Sequence, residues 1–255
     1  MHEPLARTQR AGGIAHWGNQ IVRLAEARAG ERRPPCAAVD RNMRGVDGIA
    51  AGGRQVRGRN GMEATTGEDV PAGAVFTIGH STRTIGEFIA LLRENDIQLL
   101  VDVRRFPGSR RHPQFGSEAL AASLAEAGIA YRHEEALGGR RASDPTAGLS
   151  PNTAWRHAAF RAYADYMATA PFRAALARLM EDAAHRRPVV MCAEAVPWRC
   201  HRRLITDALL ARGVPVFDII GPGGAAPAVL SPHALVRGDS LTYPATPQAD
   251  LFGGA

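Results

Sequence analysis

Val189 to Arg203, VVMCAEAVPWRCHRR, holds two cysteines, a glutamate, a histidine and three arginines within fifteen positions. It begins as a short apolar run suited to a buried strand and ends in a basic cluster that opens a helical pattern. A strand feeding a helix through a polar turn is where open α/β sheets place ligands, because strand carboxyl ends and helix amino ends both face that crevice. Cys192, at the strand end and near Arg199, Arg202 and Arg203, is a candidate nucleophile whose thiol such surroundings would acidify. The bland alternative is a small buried cysteine. Six residues separate Cys192 from Arg199, a longer gap than in the anion-wrapping loops of phosphatases and sulfurtransferases, and Pro197 removes one amide from the turn.

Glu194, Asp102 and His80 are the candidates for general acid and base work, given a shared pocket that shifts their pKa values. The structural alternative pairs Asp102 and Glu194 with Arg104, Arg110 or Arg202, and residue types alone do not separate the two. Arg104, Arg110 and Arg202, with His201 and Ser81, suit phosphate, since guanidinium forks and helix-terminal amides both bind anions. Phe106, His112, Phe115 and Trp198 lie among these arginines and offer rings on which bases could stack. A metal would draw on Cys192, Glu194, Cys200 and His201, with His80 as a further donor. That reading is disfavoured, because Cys200 and His201 are adjacent and neighbours on a helix diverge by about 100°. The second cysteine pair of a zinc deaminase signature is also missing. The expectation is no metal, zinc included, and no cofactor required by the sequence.

These groups are spread over more than 100 residues of chain, so a scaffold must gather them. Ala74 to Ile78, Gln98 to Val103, Ile129 to Arg132, Pro188 to Met191 and Val214 to Ile220 read as five strands. Between them lie helical patterns. Thr84 to Asn95 carries Ile85, Phe88, Ile89 and Leu92 at i, i+3, i+4 and i+7. Glu118 to Ala127 follows Ser117 as an expected N-cap and stops at Gly128. Trp155 to Met167, Pro171 to Ala184 and Cys200 to Ala211 complete the set, with Trp155, Tyr163, Tyr166 and Phe172 assigned to the core. Such alternation predicts a single α/β domain over 71–221, with a mainly parallel sheet of about five strands flanked by helices. All strand carboxyl ends then share one edge, and the candidate residues converge there. Residues 1–70, rich in Gly and Arg, are expected to form a disordered leader, with Met62 as an alternative start, and residues 222–255 an irregular tail.

Charge and cysteine content narrow the setting. All 31 basic residues are arginine, and the formal excess of +6 lies within residues 1–61, where 11 arginines face 5 acidic residues. The remaining 20 arginines are matched by 20 acidic residues, so only local clusters argue for anion binding by the folded part. Three cysteines, unevenly placed, do not make a disulfide framework, and no run reaches the length of a membrane helix. A cytoplasmic protein without a membrane partner is expected.

In chain order the motifs are Gly79 to Ser81 (GHS), Val101 to Arg104 (VDVR) with Pro107, Ser109 and Arg110, Leu137 to Arg141 (LGGRR), Tyr163 to Met167 (YADYM), and Met191 to Arg202 (MCAE followed by CHR). This order resembles the DUF488 family over about 79–220. The resemblance implies a compact α/β domain of bacterial type and, through the labels its members carry, an association with DNA repair. It supplies no reaction and assigns no catalytic role. Two readings stand: a protein acting on a nucleotide or nucleic acid through an anion pocket, or a binding or regulatory module in which the same residues form a structural ion-pair network.

Overall fold

The computed structural model describes residues 70–108, 111–143 and 148–245. The expected leader over 1–70 lies outside these residues except for Val70, as do Ser109 and Arg110 and the end of the tail from residue 246. Strands β1 (Val75–Gly79), β2 (Leu99–Asp102), β3 (Ala130–His133), β4 (Pro188–Cys192) and β5 (Val216–Ile219) form the parallel part of a sheet. A two-residue antiparallel strand, β6 (Ala226–Pro227), completes the six-stranded order β3-β2-β4-β1-β5-β6.

The helices are α1 (Ile85–Glu94), α2 (Ser117–Glu126), α3 (Ala158–Tyr166), α4 (Ala170–His185) and α5 (Arg202–Leu210). The chain winds outward from β1 to β3 and then turns back through β4 to β5. Right-handed crossovers therefore place α1 and α2 on one face and α3, α4 and α5 on the other. Strand alternation feeds both cores. Phe76, Ile78, Leu100 and Met191 pack with Phe88, Leu92, Leu120 and Leu124, whereas Val75, Val101, Val190 and Val216 pack with Tyr163, Phe172, Leu176 and Leu204. β1 and β2 are buried throughout, as expected for strands covered on both sides.

Local chemistry explains most boundaries. Thr84 caps α1 through a capping box with Glu87, so the helix begins one residue later than its periodicity suggests. Ser117 is not the cap of α2: Gly116 holds that position and Ser117 is the first helical residue. His157 caps α3, which leaves Trp155 outside the helix, packed on Tyr243 and Phe160. α5 starts at Arg202 rather than Cys200, a two-residue shift that matters for the site. The described part of the tail carries short strands. Beyond β6, a hairpin of β7 (Leu235–Arg237) and β8 (Ser240–Thr242) leads to Tyr243, which is fully buried and donates a hydrogen bond to the buried Asp207. Short strands without apolar alternation carry no periodic signal, so this segment was not legible. No helix among the described residues is long and apolar enough to cross a membrane.

Candidate functional site

The carboxyl ends of β1, β2 and β4, with the turn after β3 and the first turn of α3, enclose a cavity of about 670 Å³. Backbone hydrogen bonds tie its walls together: His80 and Ser81 donate to the carbonyls of Cys192 and Ala193, and Val103 donates to Met191. At Gly79 the chains come so close that a Cβ would sit 1.8 Å from the Glu194 carbonyl oxygen, so no other residue fits there. A larger cavity of about 790 Å³ lies between α3 and β8 and contains none of the sequence-predicted site residues.

Of those residues, His80, Arg104, Cys192, Glu194 and His201 line the smaller cavity. Asp102, Ser81 and Arg202 do not. Asp102 is fully buried; one carboxylate oxygen accepts from the Arg104 amide at 3.1 Å and from its Nε at 2.8 Å. The other oxygen accepts from the Arg104 guanidinium at 2.5 Å and from the Tyr131 hydroxyl at 3.0 Å. The last Arg104 nitrogen donates to the Phe115 carbonyl. Both partners are thus committed to each other and to β2's end, which matches the ion-pair alternative for Asp102.

Arg202 is fully buried too. It donates to the carbonyls of Glu194 and Ala195 and to Thr77 Oγ1, which in turn donates to Asp218. It holds the Cys192–Val196 loop from beneath and points away from the cavity. Glu134, at the end of β3, is turned from the cavity in a bidentate pair with Arg178. His80 is buried against Phe115, ring centroids 4.3 Å apart, and burial pulls its pKa down to about 4, so the ring is neutral near pH 7.

On the opposite face of the sheet end, Cys192, Cys200 and His201 come together. The Nε2 of His201 lies 3.1 Å from the Val103 carbonyl oxygen. A carbonyl only accepts, so Nε2 carries the proton and the Nδ1 lone pair faces Cys200 Sγ at 3.5 Å and Cys192 Sγ at 4.0 Å. Tyr163 packs on the His201 ring at 5.2 Å, and its hydroxyl donates to the Leu137 carbonyl, which fixes the glycine turn after β3. At Gly139 a Cβ would stand 2.8 Å from His201 Nδ1, so the ring edge is left uncovered only because this residue is glycine. The thiols are coupled. Cys200 is lowered below the ordinary thiol range because Cys192 donates a hydrogen bond to it, and Cys192 is raised for the same reason and by burial. The sequence pointed to Cys192 as the acidified thiol; here the two thiols face each other across one hydrogen bond, and the direction that lowers a thiol falls on Cys200.

Cys200 and His201 do not diverge as neighbours on a helix would. Cys200 is extended, with φ −133° and ψ 153°, and closes a 3-10 turn over Pro197–Arg199; only His201 takes a helical conformation. Two adjacent residues of different backbone type can aim at one point. Arg105, Arg111 and Arg140, to which sequence reasoning gave no individual role, also line the cavity, as does Arg199, considered there only as a neighbour of the Cys192 thiol. Arg140 does so with φ 55°, a conformation uncommon outside glycine. Phe106 and His112 line the wall as the ring hypothesis expects, whereas Phe115 is core and Trp198 is exposed beyond the cavity.

Residues 84–209 match the family model described as "Domain of unknown function DUF488". No curated protein and no solved structure matches the chain.

Proposed function

The chain belongs to the DUF488 family, and on that premise we propose that its cavity binds a phosphate-bearing ligand, a nucleotide or a nucleic acid. The observation that supports this reading is the charge of the wall. Five arginines line it and one carboxylate, Glu194. Arg104 is neutralised by Asp102, which leaves Arg105, Arg111, Arg140 and Arg199. Arg105 is oriented by a hydrogen bond to the Arg140 carbonyl, and its nearest carboxylate, Glu135, is 4.0 Å away. Among the described residues, Arg111, Arg140 and Arg199 have no carboxylate partner within ion-pair distance. Guanidinium forks without a protein counter-ion match the bidentate geometry of phosphate oxygens, and a partly enclosed wall strengthens their pull. Phe106 and Phe160, on the same wall, give a base or sugar an apolar surface. Glu194, solvent-exposed and without an ion-pair partner among the described residues, is the general base of this reading.

A second reading has its own support. Asp102 and Glu134, both buried carboxylates, are each paired with an arginine, Arg104 and the exposed Arg178, so the same cavity would serve a binding module without chemistry, where the ligand is held and released unchanged.

The test is a titration of the full chain with inorganic phosphate, a nucleoside diphosphate and single-stranded DNA, at two salt concentrations. Binding that weakens with salt, and that falls by about two orders of magnitude or more in the combined Arg111→Ala, Arg140→Ala and Arg199→Ala variant, is expected. Equal affinity in that variant, or no binding of any of the three ligands, overturns the proposal.

A further inference from the structure

We infer that Cys192, Cys200 and His201 form a binding site for a tetrahedral, thiolate-preferring divalent cation of the Zn²⁺ class, with its fourth coordination position open to the cavity. The inference does not rest on the anion reading. It starts from three donor atoms, Cys192 Sγ, Cys200 Sγ and His201 Nδ1, that all lie within 4.8 Å of one another. A tetrahedral ion with Zn–S near 2.3 Å and Zn–N near 2.05 Å sets its sulfur and nitrogen ligands about 3.6 Å apart. The observed separations to Nδ1 are 3.5 Å from Cys200 and 4.0 Å from Cys192. The Cys200 separation matches that value, and Cys192 stands about 0.4 Å beyond it.

Three further features suit the same role. The proton on His201 Nε2 is donated to a backbone carbonyl, the outer-shell arrangement that metal-bound histidines use to fix tautomer and ring orientation. The ring is clamped by Tyr163, whose hydroxyl is itself anchored on Leu137. The ligands also come from two rigid elements, the end of β4 and the turn that opens α5, so the site is built before any ion arrives. Two thiolates and one neutral imidazole balance the charge of a divalent ion, and this soft donor set favours zinc over magnesium or calcium. With three protein ligands and all three residues on the cavity wall, the fourth position is left to water or to an oxygen of a bound ligand, the pattern of catalytic rather than structural zinc.

The experiment uses the full chain in a Cys36→Ser background, so that only Cys192 and Cys200 report. The reduced, chelator-treated protein is titrated with Co²⁺ under inert gas in phosphate-free buffer. One equivalent should bind, with thiolate-to-cobalt charge-transfer absorption and the intense visible bands of a tetrahedral ion, and Zn²⁺ should displace it. Cys192→Ser and Cys200→Ser should each lose one thiolate's share of the charge transfer, and His201→Gln should lose the tetrahedral bands. Because a variant could fail to fold, alkylation of the unsubstituted protein gives a second reading: Zn²⁺ should protect both thiols and a chelator should expose them again. Weak octahedral spectra, or alkylation rates unchanged by Zn²⁺, overturn the inference. Since no phosphate is present, such a failure leaves the arginine wall untouched, and failure of the anion titration leaves the metal site untouched.

Discussion

Two polar clusters stand at the same sheet edge on opposite faces, and they are built on opposite principles. Asp102 lies on the face of α1 and α2; each of its oxygens accepts two hydrogen bonds, from Arg104 or Tyr131, and the carboxylate is sealed from solvent behind Arg104. Cys192, Cys200 and His201 lie on the face of α3, α4 and α5, where two thiols share one nitrogen lone pair beside an open cavity. A saturated buried charge fixes conformation and has nothing left to offer a ligand. A cluster of soft donors with spare coordination contributes little to folding and has everything to offer. Position at a strand end thus does not make a residue functional; the state of its valences does.

The contrast can be broken most severely at Asp102. Asp102→Ala leaves Arg104 buried without a counter-ion, and a loss of about 3–5 kcal/mol is expected in urea unfolding at pH 7. A loss below about 1 kcal/mol would mean that the pair does not hold the end of β2.

Next in size is the effect of pH on the neighbouring His80. Its folded pKa is about 4 against an ordinary 6.5, because burial against Phe115 disfavours the cation. The unfolded chain takes up the proton first as pH falls, so the contribution is fully present above pH 6.5 and is lost between 6.5 and 4. The difference amounts to about 3 kcal/mol at most. Groups facing the ring include Arg104, His112 and Asp102, so the measurement is a comparison: His80→Asn, whose amide can keep the bond to the Ser81 carbonyl, should flatten the stability profile over that window. A parallel decline in both proteins would assign the pH dependence elsewhere.

The smallest change sharpens the other half of the comparison. Cys192 is only half-buried by its surroundings and weakly hydrogen-bonded, so Cys192→Ser should shift stability by no more than about 1 kcal/mol. A loss above about 3 kcal/mol would make the thiol pair a structural element and erase the distinction drawn here.

Local signals carried the architecture. The apolar runs at β1, β2 and β4 and the spacing of Ile85, Phe88 and Leu92 depend on period alone, and period is a property of neighbours in the chain. From them follow the α/β class, the parallel sheet and the shared edge on which His80, Cys192 and Glu194 meet. Valence at that edge was not legible, because it depends on partners far away in sequence. Nothing near Asp102 says that Tyr131 will complete its shell, and nothing near Arg202 says that it will turn under the sheet to Thr77 while Arg140 and Arg199 face the cavity. For the cysteine and histidine pair the difference lies in a helix boundary. A helix begun at Cys200 would splay the two side chains apart; a helix begun at Arg202 leaves Cys200 extended and lets both aim at Cys192. A shift of two residues lies inside the uncertainty of any periodic signal, since helix ends are set by caps and packing. The stretch from Val189 to Arg203 announced its chemistry by composition, and the backbone turn at Cys200, held by the surrounding sheet and loops, determined which of its donors share a centre.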